Sequence, residues 1–155
     1  MSKVESRLAE LGLTLPEVTP PLAVYVPAVR SGDLVFTSGQ LPMTAGTMAH
    51  TGKVGDGVTA EQAKAQARIC ALNALAAVKS VIGDLDRVEH VVKVVGFVAS
   101  AAGFTGQSGV VNGASELLGE VFGDAGVHAR SAVGVAALPL DAPVEVEIQV
   151  RVRAD

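Results

Sequence analysis

Two charged residues stand apart from their surroundings. Arg130 precedes the apolar run SAVGVAALP, and Glu145 sits at the start of a Val-rich segment that ends at Val152. A guanidinium is a planar fork of N–H donors that matches a carboxylate. A glutamate within reach of the same ligand can orient a water or carry a proton. A plainer reading is also open: a solvated arginine at a strand start and a glutamate on the polar face of a strand.

Other sources of chemistry are scarce. His50, His90, His128 and the single cysteine, Cys70, show no metal-ligand spacing. No dinucleotide or P-loop fingerprint occurs, and the glycines of GKVGDG (Gly52, Gly55, Gly57) follow no clear strand. Ser38 lies in TSGQ rather than in a nucleophile elbow. Cys70, among alanines, reads as a buried small hydrophobe. No cofactor and no metal are expected.

The elements that must position these residues follow from pattern. Residues 3–12 suit a short helix stopped by Gly12, before the Pro16, Pro20 and Pro21 region. Two strands flank Ser31-Gly32-Asp33, a hairpin signal, and residues 43–58 read as a loop with four glycines. Thr59 and Gln62 match a capping box, and no Gly or Pro interrupts the chain until Gly83, so a helix of about six turns is expected. Residues 91–100 read as a strand largely buried on both faces. Val110, Val111, Ala114, Leu117, Leu118, Val121 and Phe122 keep helical spacing, although Asn112-Gly113 is locally a turn signal. A strand is expected over 131–136. Val144, Val146, Ile148, Val150 and Val152 then alternate with Glu145, Glu147, Gln149 and Arg151. The order is β-β-α-β-α-β-β, and two helices cover one face of one sheet. The Val-rich far face makes a poor solvent surface and is expected to meet another subunit.

Composition sets the outer bounds. A chain of 155 residues is expected to fold as a single domain, 1–155. Twenty-six valines, 24 alanines and only 3% aromatics predict close-packed helices on a sheet. A net charge of −4 and the lack of Trp leave no field or stacking platform for nucleic acid. The N-terminal MSKVESRLAELGL does not read as a signal peptide, and the apolar stretches 91–104 and 132–140 are too short to span a bilayer. With one cysteine, a cytoplasmic protein with no membrane partner is expected.

Three longer segments carry a resemblance. HARSAVGVAALPLDAPVEVEIQV resembles the C-terminal signature of the RidA/YjgF family of enamine/imine deaminases. VYVPAVRSGDLVFTSGQLP is similar to that family's first hairpin, and VVNGASELLGEVFG to its second helix. The resemblance implies that Arg130 binds the substrate carboxylate and that Glu145 works with the hydrolytic water. It implies further that Tyr25, in the first strand, Ser38, Gly39 through its backbone N–H, and Asn112 bind substrate. The spacing from Asn112 to Arg130 is one residue longer than the family pattern. The segment to about Pro21 and the 43–58 loop exceed the short family form, His128 stands where Pro is common, and Ala132 where a small Cys often sits.

The implied fold is α+β and chorismate-mutase-like, a mixed sheet with two helices on one face, assembled as a homotrimer with ligand clefts between subunits. The implied activity is hydrolytic deamination of 2-aminoacrylate-type enamines or 2-imino acids to a 2-keto acid and ammonia. A non-enzymatic trimer binding small carboxylates is the alternative, and ribonuclease activity a more distant one. A glutamate beside the Arg130 guanidinium is expected to stay a carboxylate and a weak base. That suffices for so reactive a substrate.

Overall fold

The computed structural model describes residues 2–18, 20 and 23–154; Pro21, named above at the end of the N-terminal segment, lies outside them. Helix α1 spans Lys3–Glu10, and strands β1 (Ala28–Ser31) and β2 (Leu34–Thr37) form the hairpin. The two-residue strands β3 (Lys53–Val54) and β4 (Gly57–Val58) follow, then helix α2 (Ala60–Ile82) and strand β5 (Val88–Ala99). Helix α3 (Gln107–Phe122) and strands β6 (Ala129–Val135) and β7 (Val144–Val152) complete the chain. The main sheet runs β1-β2-β7-β5-β6, with β5 and β6 parallel and the other pairs antiparallel. This is the expected mixed sheet and β-β-α-β-α-β-β order, with α1 in front.

Local chemistry sets each boundary. In the hairpin Ser31 faces Leu34, so the turn is Gly32-Asp33. Gly32 takes φ +64, which costs a glycine no Cβ clash. At α2 the Thr59 hydroxyl accepts from the Gln62 N–H while the Gln62 side chain accepts from the Thr59 N–H, so the capping box is real. Helix α2 is long and apolar enough, by length and composition, to cross a membrane, but just over half of that window is buried inside the domain. Ala63, Ala67, Cys70, Ala71 and Ala74 are fully buried, and their small side chains let the helix lie close on Val35, Val144 and Val146. Each such valine contributes roughly 1.5–3 kcal/mol by leaving water.

Three expectations need correction. The 43–58 segment is not a plain loop. Val54 bridges Ser100, Ala101 donates its N–H to the Val54 carbonyl, and Val54 and Val58 are buried beneath it. Strand β5 starts earlier than expected, at Val88, because β7 pairs with it that far, and only one of its faces is fully buried. Strand β6 likewise begins at Ala129, which places Arg130 inside the strand. The expected helix does run through the local turn signal Asn112-Gly113, and Gly113 is where α3 touches the backbone of α2. A Cβ there would run into the Lys64 carbonyl. Tertiary packing overrides the local signal.

Helix α1 is docked rather than dangling. The Asp86 carboxylate accepts the N–H groups of Lys3 and Val4 at 2.8 and 2.9 Å, and the Arg7 Nε donates to the Glu120 carbonyl at 2.9 Å. Val4 and Leu8 face inward and are buried. The helices thus occupy one side of the sheet. On the other side Val29, Phe36 and Val133 remain exposed beside Lys93, Glu145, Glu147 and Gln149.

Candidate functional site

Strand register decides where the two conspicuous charges point. Arg130 lies beside Val94, which in turn pairs with Ile148; both neighbours are buried under the helices, so Arg130 projects to the helix side. There it meets α3. Its Nη1 donates to Asn112 Oδ1 at 2.7 Å and to Ser115 Oγ at 3.2 Å, and its Nη2 donates to the Ser108 carbonyl at 3.3 Å. Both N–H groups of Nη1 are therefore used. The Nε–H and the second Nη2–H have no bonded acceptor among the described residues. Nε and Nη2 lie along one edge of the guanidinium, the edge that can donate to both oxygens of a carboxylate.

Behind the guanidinium stands His128. Its Nδ1 lies 2.6 Å from the Gly126 carbonyl and its Nε2 lies 2.8 Å from Ser115 Oγ. A carbonyl can only accept, so Nδ1 carries the proton, and in the neutral ring Nε2 accepts the Ser115 hydroxyl.

Glu145 stands on the opposite side of the sheet, in register with Phe97. Strand β2 leads to it through a bulge: Phe36 pairs with Gln149 and Gln40 with Val146, so β2 carries one extra residue between these pairs. The bulge brings Gly39 against the carboxylate. A Cβ on Gly39 would sit 2.6 Å from Glu145 Oε1, so glycine is what allows the approach. Burial, and secondarily the like charge of Glu147, push the Glu145 carboxyl above its ordinary value. Within one chain no guanidinium opposes this rise. Arg130 of the same chain is on the other face and cannot do so.

Ser38 is used structurally as well. Its Oγ donates to the Val26 carbonyl at 2.6 Å and its N–H to the Pro27 carbonyl at 2.8 Å, which ties down the segment carrying Tyr25. Tyr25 itself precedes β1 rather than lying in it, and is 70% exposed. Two prolines (Pro20 and Pro27) bracket it, and no strand pairs with it among the described residues. Tyr25, Ser38 and Gly39 line a cavity of about 870 Å³. Val18 from the N-terminal segment and Met43 from the 43–58 segment form part of its wall. Cys70 stays outside all of this. It is fully buried, its thiol donates to the Val144 carbonyl at 3.7 Å, and burial pushes its pKa up.

The six residues singled out from the sequence thus form two groups in one chain: Arg130 with Asn112, and Glu145 with Gly39, next to Ser38 and Tyr25. The longer Asn112 spacing does not separate Asn112 from Arg130. Ser115 and His128 were not among the six. Ser115 stands three residues after Asn112, on the same helix face, and that spacing was the available signal.

Comparison with known proteins agrees with this architecture. The sequence model of a family described as "YjgF/chorismate mutase-like, putative endoribonuclease" matches residues 5–150. Protein TCP17 of Trypanosoma cruzi is 46% identical over 146 residues, which cover 94% of this chain and 91% of that protein. A crystal structure of a protein of unknown function from Agrobacterium tumefaciens is 47% identical and superposes with a TM-score of 0.91, covering 97% of this chain and 93% of the other. The E. coli protein TdcF, solved with bound serine, is 25% identical with a TM-score of 0.62, covering 87% and 92%. A family match across nearly the whole chain, with relatives this similar over more than nine-tenths of their length, shows that the chain belongs to the RidA/YjgF family.

Proposed function

We propose that this protein is a hydrolytic deaminase of 2-aminoacrylate-type enamines and their 2-imino acid tautomers, releasing a 2-keto acid and ammonia. The observation that carries the reading is the Arg130 guanidinium. Its Nη1 is spent on Asn112 and Ser115 while the Nε/Nη2 edge is left for a carboxylate. Fixing the carboxylate orients the adjacent C2, which in the imine is already electrophilic. Water adds to C2 as Glu145 takes one of its protons and passes it to the imine nitrogen, giving a carbinolamine, whose hydroxyl proton is then moved to the nitrogen in the same way. The C–N bond then breaks, and ammonia leaves with the 2-keto acid behind. No redox change occurs. Burial raises the Glu145 carboxyl within one chain and a neighbour's Arg130 would oppose that, so the reading asks only a weak base of Glu145, which so electrophilic a carbon allows.

Arg130 and Glu145 occupy opposite faces of one sheet, so the reading requires a second copy: Arg130 of one protomer meets Glu145, Gly39, Ser38 and Tyr25 of its neighbour. A homotrimer with inter-subunit clefts satisfies this and covers Val29, Phe36 and Val133. Light scattering is expected to give three copies; a stable monomer would remove the cleft. A second reading, a trimer that binds small carboxylates without turnover, is favoured by the serine held by TdcF. Ribonuclease activity has less support, because a net charge of −4 and the lack of Trp offer no surface for a phosphate backbone.

The test is to generate 2-aminoacrylate in situ and follow keto-acid release. The protein should accelerate release over buffer, and Arg130→Ala should lose that acceleration. Equal rates with and without protein would leave the binding reading, which equilibrium dialysis with 2-keto acids then decides.

A further inference from the structure

Ser115 and His128 have no part in the reaction as proposed, yet both are tied to Arg130. We propose that His128 is a positioning residue: through the Ser115 hydroxyl it holds the Arg130 guanidinium in the orientation that meets a carboxylate. The inference rests on the reading that Arg130 takes the substrate carboxylate. It adds a residue that the sequence comparison gave no role, since His128 stands where the family commonly has Pro.

The direction of each hydrogen bond makes the connection. The Gly126 carbonyl fixes the proton on Nδ1, so in the neutral ring Nε2 accepts, and the group bonded to it among the described residues is the Ser115 hydroxyl. With its proton turned to His128, Ser115 Oγ presents lone pairs to Arg130 Nη1 at 3.2 Å. Were the imidazole absent, that hydroxyl proton would be free to rotate toward Arg130 and oppose the guanidinium. Asn112 Oδ1 takes the other Nη1 hydrogen, and the two acceptors together set the plane of the guanidinium. Ring and guanidinium are short links in one local circuit, because His128 and Arg130 are two residues apart at the start of β6.

The test compares variants that remove the acceptor with one that keeps it. His128→Leu and Ser115→Ala lose it, whereas His128→Gln keeps an oxygen close to the place of Nε2. Titration calorimetry on the intact assembly with 2-oxobutyrate should show the Leu and Ala variants binding about tenfold more weakly, or about 1.4 kcal/mol. His128→Gln should stay within about twofold of the parent. The uncharged 2-oxobutyramide should show no difference across the set. In protein labelled with 15N-arginine, Arg130 should show resolved Nη resonances, a sign of slow rotation, in the parent and the Gln variant. These should collapse in the Leu and Ala variants. The proposal is overturned if His128→Leu changes neither reading, or if Gln loses as much as Leu. Should the parent itself not bind 2-oxobutyrate, the assignment of Arg130 to the carboxylate fails. The guanidinium spectra then still decide whether His128 holds Arg130.

Discussion

Gly39→Ala separates catalysis from stability at a single atom. Gly39 does not have a positive φ, so alanine meets no backbone strain there. Its new Cβ would lie 2.6 Å from Glu145 Oε1 and 2.7 Å from Cδ, against the roughly 3.5–4.0 Å of an ordinary contact. The carboxylate must therefore retreat by about 1 Å. The atoms it meets are the far end of a flexible side chain, so the cost in stability should stay below about 1 kcal/mol, or about 2–4 °C in Tm. A misplacement of that size in a reacting group costs about a hundredfold in rate. The expected outcome is an unchanged fold by calorimetry and a kcat/KM for imine hydrolysis reduced about a hundredfold. Pairing the change with Glu145→Gln gives the mechanism. If Gly39→Ala acts through the carboxylate, the double variant should be no slower than Glu145→Gln alone. Full activity in Gly39→Ala would refute the claim that Glu145 must sit against Gly39 to act.

Three further outcomes follow from the same contacts. Glu145→Gln removes a carboxyl whose folded pKa is raised by burial and by Glu147; such a group favours the fold below its unfolded value near 4.5 and loses that contribution as pH rises. The variant should therefore be more stable than the parent at neutral pH and no more stable in acid, as denaturant titrations at two pH values would show. Gly113→Ala gains helix propensity but drives a Cβ into the Lys64 carbonyl, so a net loss of about 2 kcal/mol, or about 4–8 °C in Tm, is expected. Asp86 behaves oppositely to Glu145: burial raises its pKa, but the N–H groups of Val4 and Lys3 outweigh that and bring it below 3.8. Its hold on α1 should be complete above that value and lost as pH falls, with exchange at the Lys3 and Val4 amides reporting the release.

What was legible in the sequence was whatever periodicity or a cap specifies locally. Strand β7 kept its predicted bounds because Val144 to Val152 alternates without a break. Helix α2 kept its own because Thr59, Gln62 and Gly83 mark its ends chemically. The misreadings came where a partner element decides. Val88 joins β5 only because β7 extends that far, and residues 53–58 pair among themselves and dock through the Val54–Ser100 bridge, a contact with a distant segment. The site followed the same division. Residue identities at Arg130 and Glu145 were visible, but the bulge that carries Gly39 to Glu145 depends on a register between β2 and β7 that no local pattern encodes.

The separation of Arg130 from Glu145 is a matter of parity, and parity has a functional consequence. Side chains alternate along a strand, so two residues in register with neighbours on β5 share a face only if those neighbours do. Arg130 pairs with Val94 and Glu145 with Phe97, an odd number of positions apart, so within one chain the charges must diverge. A single-residue slip of β7 against β5 would bring both onto one face, but it would also turn the alternating valines of β7 out of the core. Burial of Val144, Val146, Ile148 and Val150 therefore holds Glu145 on the face away from the helices, while the bonds to Asn112 and Ser115 hold Arg130 on the helix side. If both charges act on one substrate, as proposed above, the hydrophobic pattern that builds the domain also obliges it to assemble.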